Sequence, residues 1–395
     1  VRVLVFTDYV YREVDGVVHG ERAFAVFLAA LSQHCDVVIV GRLDPDPGPA
    51  YYALPASVRF VALPHYEALT RPLSVARSLA HSLARFWQAL DCVDAAWILG
   101  PYPHSVGFAL LTRLRRRPLV LGVRQDFPSY VRRRRPGRRW MHYSADVLEL
   151  AWRLLSYRTP VVAVGAELAR TYKHAPAVLQ IMVSLIRADE VEAGRRAASR
   201  PYDGNLTVLS VGRIDAEKNP LLLPEALALL RRGDPRWRLL VCGEGQLSAA
   251  VEAKIEQLGL TASAEVRGYV PIDRGLLDIY RSSHAFLHVS WTEGMPQVLL
   301  EAFASGLPVV ATAVGGVAEA AGDAALLIPP GDPAAAADAL GRIGEDAPLR
   351  RQLIDRGLER ARRHTIERET ARVAAFIAGV AAEPTAGGSA RTPPD

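Results

Sequence analysis

Short, β-branched, nearly all-apolar runs recur along the chain, and most are followed by a longer stretch with helical character. They are 1–6 (VRVLVF), 36–40, 58–63, 95–99, 118–123, 160–164 and 178–183, then 206–211 (LTVLSV), 238–242, 264–267, 285–289, 308–311 and 325–328. Strands this short and this apolar suit a parallel sheet covered on both faces. Between them, 71–90 sets apolar residues at 76, 79, 80, 83, 86, 87 and 90 opposite Arg77, His81 and Arg85, as an amphipathic helix requires. Further helices are expected at 220–232, 247–258, 276–282, 297–305 and 333–345. The class is therefore α/β. Since 395 residues exceed one compact core, two doubly wound, Rossmann-like domains are predicted, facing across a cleft with one substrate on each wall.

The polar stretch 187–205 predicts a hinge, with an N-terminal domain over 1–190 and a C-terminal domain over 200–365. A final helix over 366–380 is expected to return to the first domain. The last residues, 381–395 (AAEPTAGGSARTPPD), have nothing to bury and predict a disordered tail.

Half of the residues are hydrophobic, which excludes a disordered chain. No apolar run reaches the ~18 residues of a membrane span. The chain opens on VRVLVF without a charged leader, so a cytoplasmic location is expected. Cys35, Cys92 and Cys242 lie far apart with no CxxC, which argues against zinc and disulfides. Charge is uneven. Residues 1–200 carry 27 Lys and Arg against 17 Asp and Glu, and residues 201–395 carry 20 against 25, so the two halves are expected to meet different chemistry.

The most informative segment follows the strand 285–289: SWTEGMPQVLLEAFASGLPVVAT. Pro296 suits the first position of a helix that ends at Ser305, with Gly306 as its left-handed exit. Glu293 then lies in the loop before that helix and Glu301 inside it. The amides of Gly294, Met295 and their neighbours sit where an anion or a sugar hydroxyl is favoured. The plainer alternative makes Glu301 a solvated helix residue and Glu293 a loop acid. In SVGRIDAEKNP, Arg213 and Lys218 emerge beyond the strand 206–211, two cations placed for a diphosphate or simply two surface charges. No GxxxxGK[ST] is present, so NTP hydrolysis by a Walker loop is unsupported. Gly243 and Gly245 in CGEGQL permit close backbone approach, and RGYV at 267–270 follows the third strand of this half.

The order VGRID-EKN, GEG, GYV, EGMPQVLLEAFASGLPVVAT resembles the C-terminal domain of retaining glycosyltransferase family 4, of GT-B fold, over about 206–330; the N-terminal half resembles it more loosely. The resemblance implies a metal-independent hexosyltransferase. It would move a sugar from a UDP- or GDP-type nucleotide sugar to a glycan, lipid-linked or small-molecule acceptor, with no cofactor. It also implies roles for single residues. Arg213 and Lys218 neutralise the diphosphate, and Glu293 holds donor-sugar hydroxyls with the amides of Gly294, Met295, Gln297 and Val298. Pro296, which has no N–H, shapes the loop; Glu301 takes the ribose hydroxyls; Tyr269 and Val270 border the base. Gly16 falls in the first strand-to-helix loop, where the family approaches the phosphates; Asp15 takes the place of the usual second glycine. Where many members carry a histidine after the strand ending near 123, this chain reads VRQDFP. Gln125 and Asp126 stand there; either the role is positional only, which is the expectation, or Arg124, Asp126 or His104 substitutes.

Asp44-Pro45-Asp46 looks like the DxD of metal-dependent transferases but reads as a turn. Arg132, Arg133, Arg134, Arg135, Arg138 and Arg139, with Phe127, Tyr130, Trp140 and Tyr143 interspersed, predict either a solvated face or docking on an anionic membrane surface, peripheral on its inner face. No nucleic-acid motif accompanies them. Two other classes compete: a nucleotide-sugar epimerase of the same architecture, and a non-catalytic, arginine-rich binder of polyanions or membranes.

Overall fold

A computed structural model describes residues 1–65, 72–135 and 137–382. The chain divides into two units, Val1–Met182 with the chain from Glu367 onward, and Val183–Ile366.

The first unit contains β1 (Arg2–Val14), β2 (Val17–Gly20), β3 (Asp36–Leu43), β4 (Tyr52–Ala53), β5 (Arg59–Pro64), β6 (Ala95–Gly100), β7 (Leu119–Val123), β8 (Val161–Val164) and β9 (Val178–Ile181). Strands β5, β3, β1, β6, β7, β8 and β9 lie side by side in that order, all parallel. Their residues alternate between two buried faces. Leu4, Phe6, Val38, Val40, Ile98, Leu121 and Val123 meet Phe86, Phe108 and Trp152 from the helices. Phe108 stacks on Phe86 at 4.0 Å and meets Phe6 edge-on at 4.8 Å. Each such side chain contributes about 1.5–3 kcal/mol by leaving water.

Strand β1 runs eight residues past the sequence expectation. Its register with β3 slips between Phe6 and Val10, so that Thr7–Tyr9 bulge, and the strand then pairs antiparallel with β2. Asp15 and Gly16 form the two-residue turn between them, both with positive φ (51° and 75°). Gly16 is therefore a hairpin apex within the first strand-to-helix connection, and the turn geometry accounts for the glycine. The helix expected at 71–90 spans Pro72–Ala89; Arg71 lies outside the described residues, as do 383–395 of the expected tail, while Ala381 and Ala382 still belong to the last helix, Ile366–Ala382. That helix belongs to the first unit from Glu367 onward, buries Val373 and Ile377, and its Arg372 donates to the Gln180 carbonyl at 2.8 Å.

The second unit contains β10 (Leu206–Val211), β11 (Trp237–Cys242), β12 (Ala264–Val266), β13 (Ala285–His288), β14 (Val309–Thr312) and β15 (Ala325–Ile328). They order as β12-β11-β10-β13-β14-β15, all parallel. The connections run outward in opposite directions from β10 and β13, which is the switch point of a doubly wound sheet. The stretch 187–205, expected as a hinge, is instead built into this unit. Helix Ala188–Ala197 buries Val191 and Gly194, and a Cβ on Gly194 would lie 1.8 Å from the Ala304 carbonyl oxygen. Arg200 donates to the carbonyls of Ser305 and Gly306 at 3.0 Å each. The chain passes between the units at Met182–Val183 and again at Ile366–Glu367.

Candidate functional site

At the switch point of the second unit, the loop after β10 meets the loop after β13. The Trp291 amide donates to the Glu217 carbonyl at 2.9 Å, pinning the short turn Ala216–Lys218 against the 290s loop. Asn219 closes that turn in the left-handed conformation, which asparagine tolerates. The result brings together two residues 75 positions apart: the Lys218 ammonium donates to Glu293 Oε1.

Two further groups converge on the same oxygen. Ser290 Oγ donates to it at 2.8 Å, and His288 Nε2 lies 3.0 Å away. The Glu293 side chain is only 9% exposed. Burial alone would raise its pKa; the His288 hydrogen bond and the Lys218 ammonium outweigh it and bring the carboxyl down to about 2. A buried carboxylate thus stays ionised because three donors hold one of its oxygens, leaving Oε2 outside this set. The loop is fixed from beneath as well. Thr312 Oγ1 donates to the Ser290 carbonyl at 2.8 Å, and a Cβ on Gly315 or Gly316 would lie 2.0 or 1.7 Å from the carbonyl oxygens of Glu293 and Gly294. Gly294 itself has open space on its Cβ side.

Arg213 stands on the same loop, just before that turn, and is 41% exposed. It is held by Asp215 and Glu217, and Asp215 also accepts from the Gln246 amide at 3.1 Å. Gly243 and Gly245 are explained by neighbouring backbone. Their Cβ atoms would lie 1.8 Å from the Gly212 oxygen and 2.3 Å from the Ile214 oxygen. The loop after β11 therefore lies directly on the loop after β10. The Tyr269 amide donates to Glu244 at 3.2 Å, which sets Tyr269 and Val270 beside the same loop, with the tyrosine ring exposed.

Pro296 is the residue before the helix, which runs Gln297–Ala304, and not its first position; its ψ of 104° is extended. Gln297 and Val298 form the first turn, half-buried, with Met295 just ahead. Glu301 is fully buried and not a solvated helix residue. Its Oε2 accepts from the Tyr280 hydroxyl at 2.9 Å, and burial outweighs that bond, pushing its carboxyl up to about 7. His288, Ser290, Thr312 and Tyr280 escaped the sequence reading. For the first three the signal available was polar residues at the ends of otherwise apolar strands, where switch-point loops begin; Tyr280 lies within the helix Leu276–Ser282 and had no such signal.

In the first unit, Asp126 caps the helix Phe127–Arg134, accepting from the Ser129 amide at 3.0 Å and its hydroxyl at 2.6 Å. Gln125 is half-buried next to it. Arg124 bonds the Tyr9 hydroxyl and lies 4.0 Å over the Phe24 ring. His104 is buried, which lowers its pKa to about 4. Asp44 takes Arg12 and the Asp46 amide, consistent with a turn. Phe127 packs with Val131 and Ala145 and so does not belong to the arginine-rich face; the side chains of Arg133 and Arg134 lie outside the described residues, while Arg132, Arg135, Arg138 and Arg139 are exposed.

Residues 193–360 match the family described as Glycosyl transferases group 1. A D-inositol 3-phosphate glycosyltransferase of Salinispora tropica is 35% identical over 218 residues, 52% of this chain and 43% of that protein. One of Corynebacterium urealyticum is 31% identical over 211 residues, 51% and 49%. The chain thus spans about half the length of the curated relatives it matches. Among solved structures, sucrose-phosphate synthase from Thermosynechococcus elongatus superposes with a TM-score of 0.71 at 19% identity, covering 96% of this chain and 98% of the other. HepE of Anabaena in complex with UDP gives 0.70 at 15%, covering 96% and 100%. Residues 193–360 are thus similar to the glycosyl transferases of group 1, and the fold of the chain is GT-B.

Proposed function

We propose that this protein is a retaining, metal-independent glycosyltransferase that takes a nucleoside-diphosphate sugar of UDP or GDP type as donor and a hydroxyl-bearing glycan, lipid-linked or small-molecule glycoside as acceptor. One observation carries the reading: a buried, ionised Glu293, gripped on a single oxygen by Lys218, His288 and Ser290, at the switch point of the nucleotide-binding type of sheet. Such a carboxylate is preorganised to accept hydrogen bonds from sugar hydroxyls without reorienting. The matched relatives are named as glycosyltransferases and HepE was solved with UDP, which supports donor and reaction class.

In the proposed step the bond between the sugar anomeric carbon and the β-phosphate oxygen breaks. The acceptor oxygen bonds to that carbon on the same face, and its proton passes to the departing diphosphate. Negative charge grows on the leaving group beside Arg213 and Lys218, and fixed cations contribute most where charge develops. Glu301 is assigned to the ribose hydroxyls, Tyr269 and Val270 to the base, and Arg124 with Gln125 to the acceptor side.

The test has two arms. A thermal-shift series with UDP, GDP and ADP should raise the melting temperature with one base preferred, since a ligand bound only to the folded state stabilises it by mass action. Glu293→Gln should lower transfer by roughly a hundredfold or more, the loss typical of a removed transition-state contact, while the variant still folds with a lowered melting temperature near pH 7, because Lys218 and His288 lose their carboxylate partner. Full activity in that variant would overturn the assignment. Isomerised donor in the absence of acceptor would point to an epimerase instead.

A further inference from the structure

Helix Arg139–Ser156 has two opposite faces. Met141, Ala145, Leu148, Trp152 and Leu155, spaced four and three apart, point inward, and the first three of them pack with Phe127 and Val131. On the other side Trp140, Tyr143, Val147, Leu150, Leu154 and Tyr157 repeat at intervals of three and four and are all exposed. A stripe of six large apolar residues over about five turns is more than the scattered surface leucines that globular proteins carry. The neighbouring helix Pro103–Leu114 adds Leu110 and Leu114, exposed one turn apart; its Arg113 ties it alongside by donating to the Leu155 carbonyl at 2.7 Å.

Charge identifies the occupant. Residues 131–160 carry eight arginines against Asp146 and Glu149. Asp146 is matched by Arg132, and Glu149 accepts from the Tyr172 hydroxyl at 2.7 Å. Exposed Arg135, Arg138, Arg139, Arg153 and Arg158 flank the stripe at both ends. We infer that this face docks on an anionic lipid bilayer, with the helix lying in the plane of the interface, its apolar stripe among the upper acyl carbons and the arginines on phosphate headgroups. Interfacial helices have this composition, a narrow apolar face with aromatics and a cationic margin. No helix among the described residues is long and apolar enough to cross a membrane, so the contact is one of surface attachment. A second copy of the chain fits less well, because a two-fold pairing of this face would bring like arginine clusters together.

The docking surface stands independently of the reaction proposed above, and its measurement needs no sugar nucleotide. The intact chain is floated with vesicles of pure phosphatidylcholine and of equimolar phosphatidylcholine and phosphatidylglycerol. Strong binding is expected only to the second, weakening as salt rises. The triple variant Tyr143→Ser, Leu150→Ser, Leu154→Ser removes side chains that are 73%, 59% and 60% exposed, so its melting temperature should hold. Its binding should fall by roughly a hundredfold, because three large side chains no longer leave water. Arg138→Ser with Arg139→Ser should also weaken binding and flatten the salt dependence. Equal binding to neutral and anionic vesicles, or binding unchanged in the triple variant, would overturn the inference. So would a dimer in light scattering that the triple variant converts to monomer.

Discussion

Glu293 and Glu301 are buried carboxylates eight residues apart, and their surroundings drive them in opposite directions. Glu293, lowered to about 2, contributes stability that is fully present above its unfolded value near 4.5 and is lost as pH falls through about 2. Glu301, raised to about 7, does the reverse. The folded state binds the proton more tightly, so stability declines as pH climbs from 4.5 through 7, by on the order of 3 kcal/mol in all. Glu301→Gln keeps an acceptor for Tyr280 and removes the titration. Urea unfolding should show it as stable as the parent at pH 5 and more stable at pH 8, with a flatter slope between; an unchanged slope would refute the assignment. The pair itself was legible in the sequence, because loop, helix start and Gly306 exit are local signals. Of the groups that set their charge states, only Lys218 was read from the sequence. His288 and Ser290 end the apolar strand before Glu293 and were passed over as strand-end polar residues, whereas Tyr280 reaches Glu301 from a separate helix, a meeting that spacing along the chain does not encode.

Among elements, the two loops over β10 and β11 illustrate what glycine does here. Gly245→Ala would push a methyl to 2.3 Å from the Ile214 oxygen, where backbone cannot yield easily. A loss of about 1–3 kcal/mol in urea unfolding is expected, together with weaker nucleotide-induced thermal shift, since the displaced loop carries Arg213. The strands were legible within a residue or two where both faces are covered, as in β10 and β14. Beyond Phe6, β1 turns half-polar and bulges, so the apolar-run criterion stops too early there. The Asp15-Gly16 pair was the overlooked hairpin signal. Residues 187–205 read as a hinge because they are polar, yet a helix needs only one small buried face, and Val191 with Gly194 provides it.

For the whole molecule, alternation of strands and helices was sufficient to foresee the α/β class. It set the first crossing between the units too late, within 187–205 and not at Met182–Val183, while the return near 366 depends on which faces the final helix covers. That dependence is measurable. Ile377 is fully buried, and Ile377→Ala should cost about 2–5 kcal/mol. Hydrogen exchange should register the loss as faster exchange in β1, β6 and β7, with β10 and β13 unaffected; equal acceleration in both sets would mean the helix supports the two units alike.

The return of Glu367–Ala382 to the first unit also orders events at the ribosome. All of Val183–Ile366 must be translated before the helix that completes the earlier unit exists, a delay of roughly ten to forty seconds at about 5–20 residues per second. Nascent chains should therefore present a finished carboxyl-side lobe while the amino-side lobe still waits, a stage at which chaperones would find their substrate.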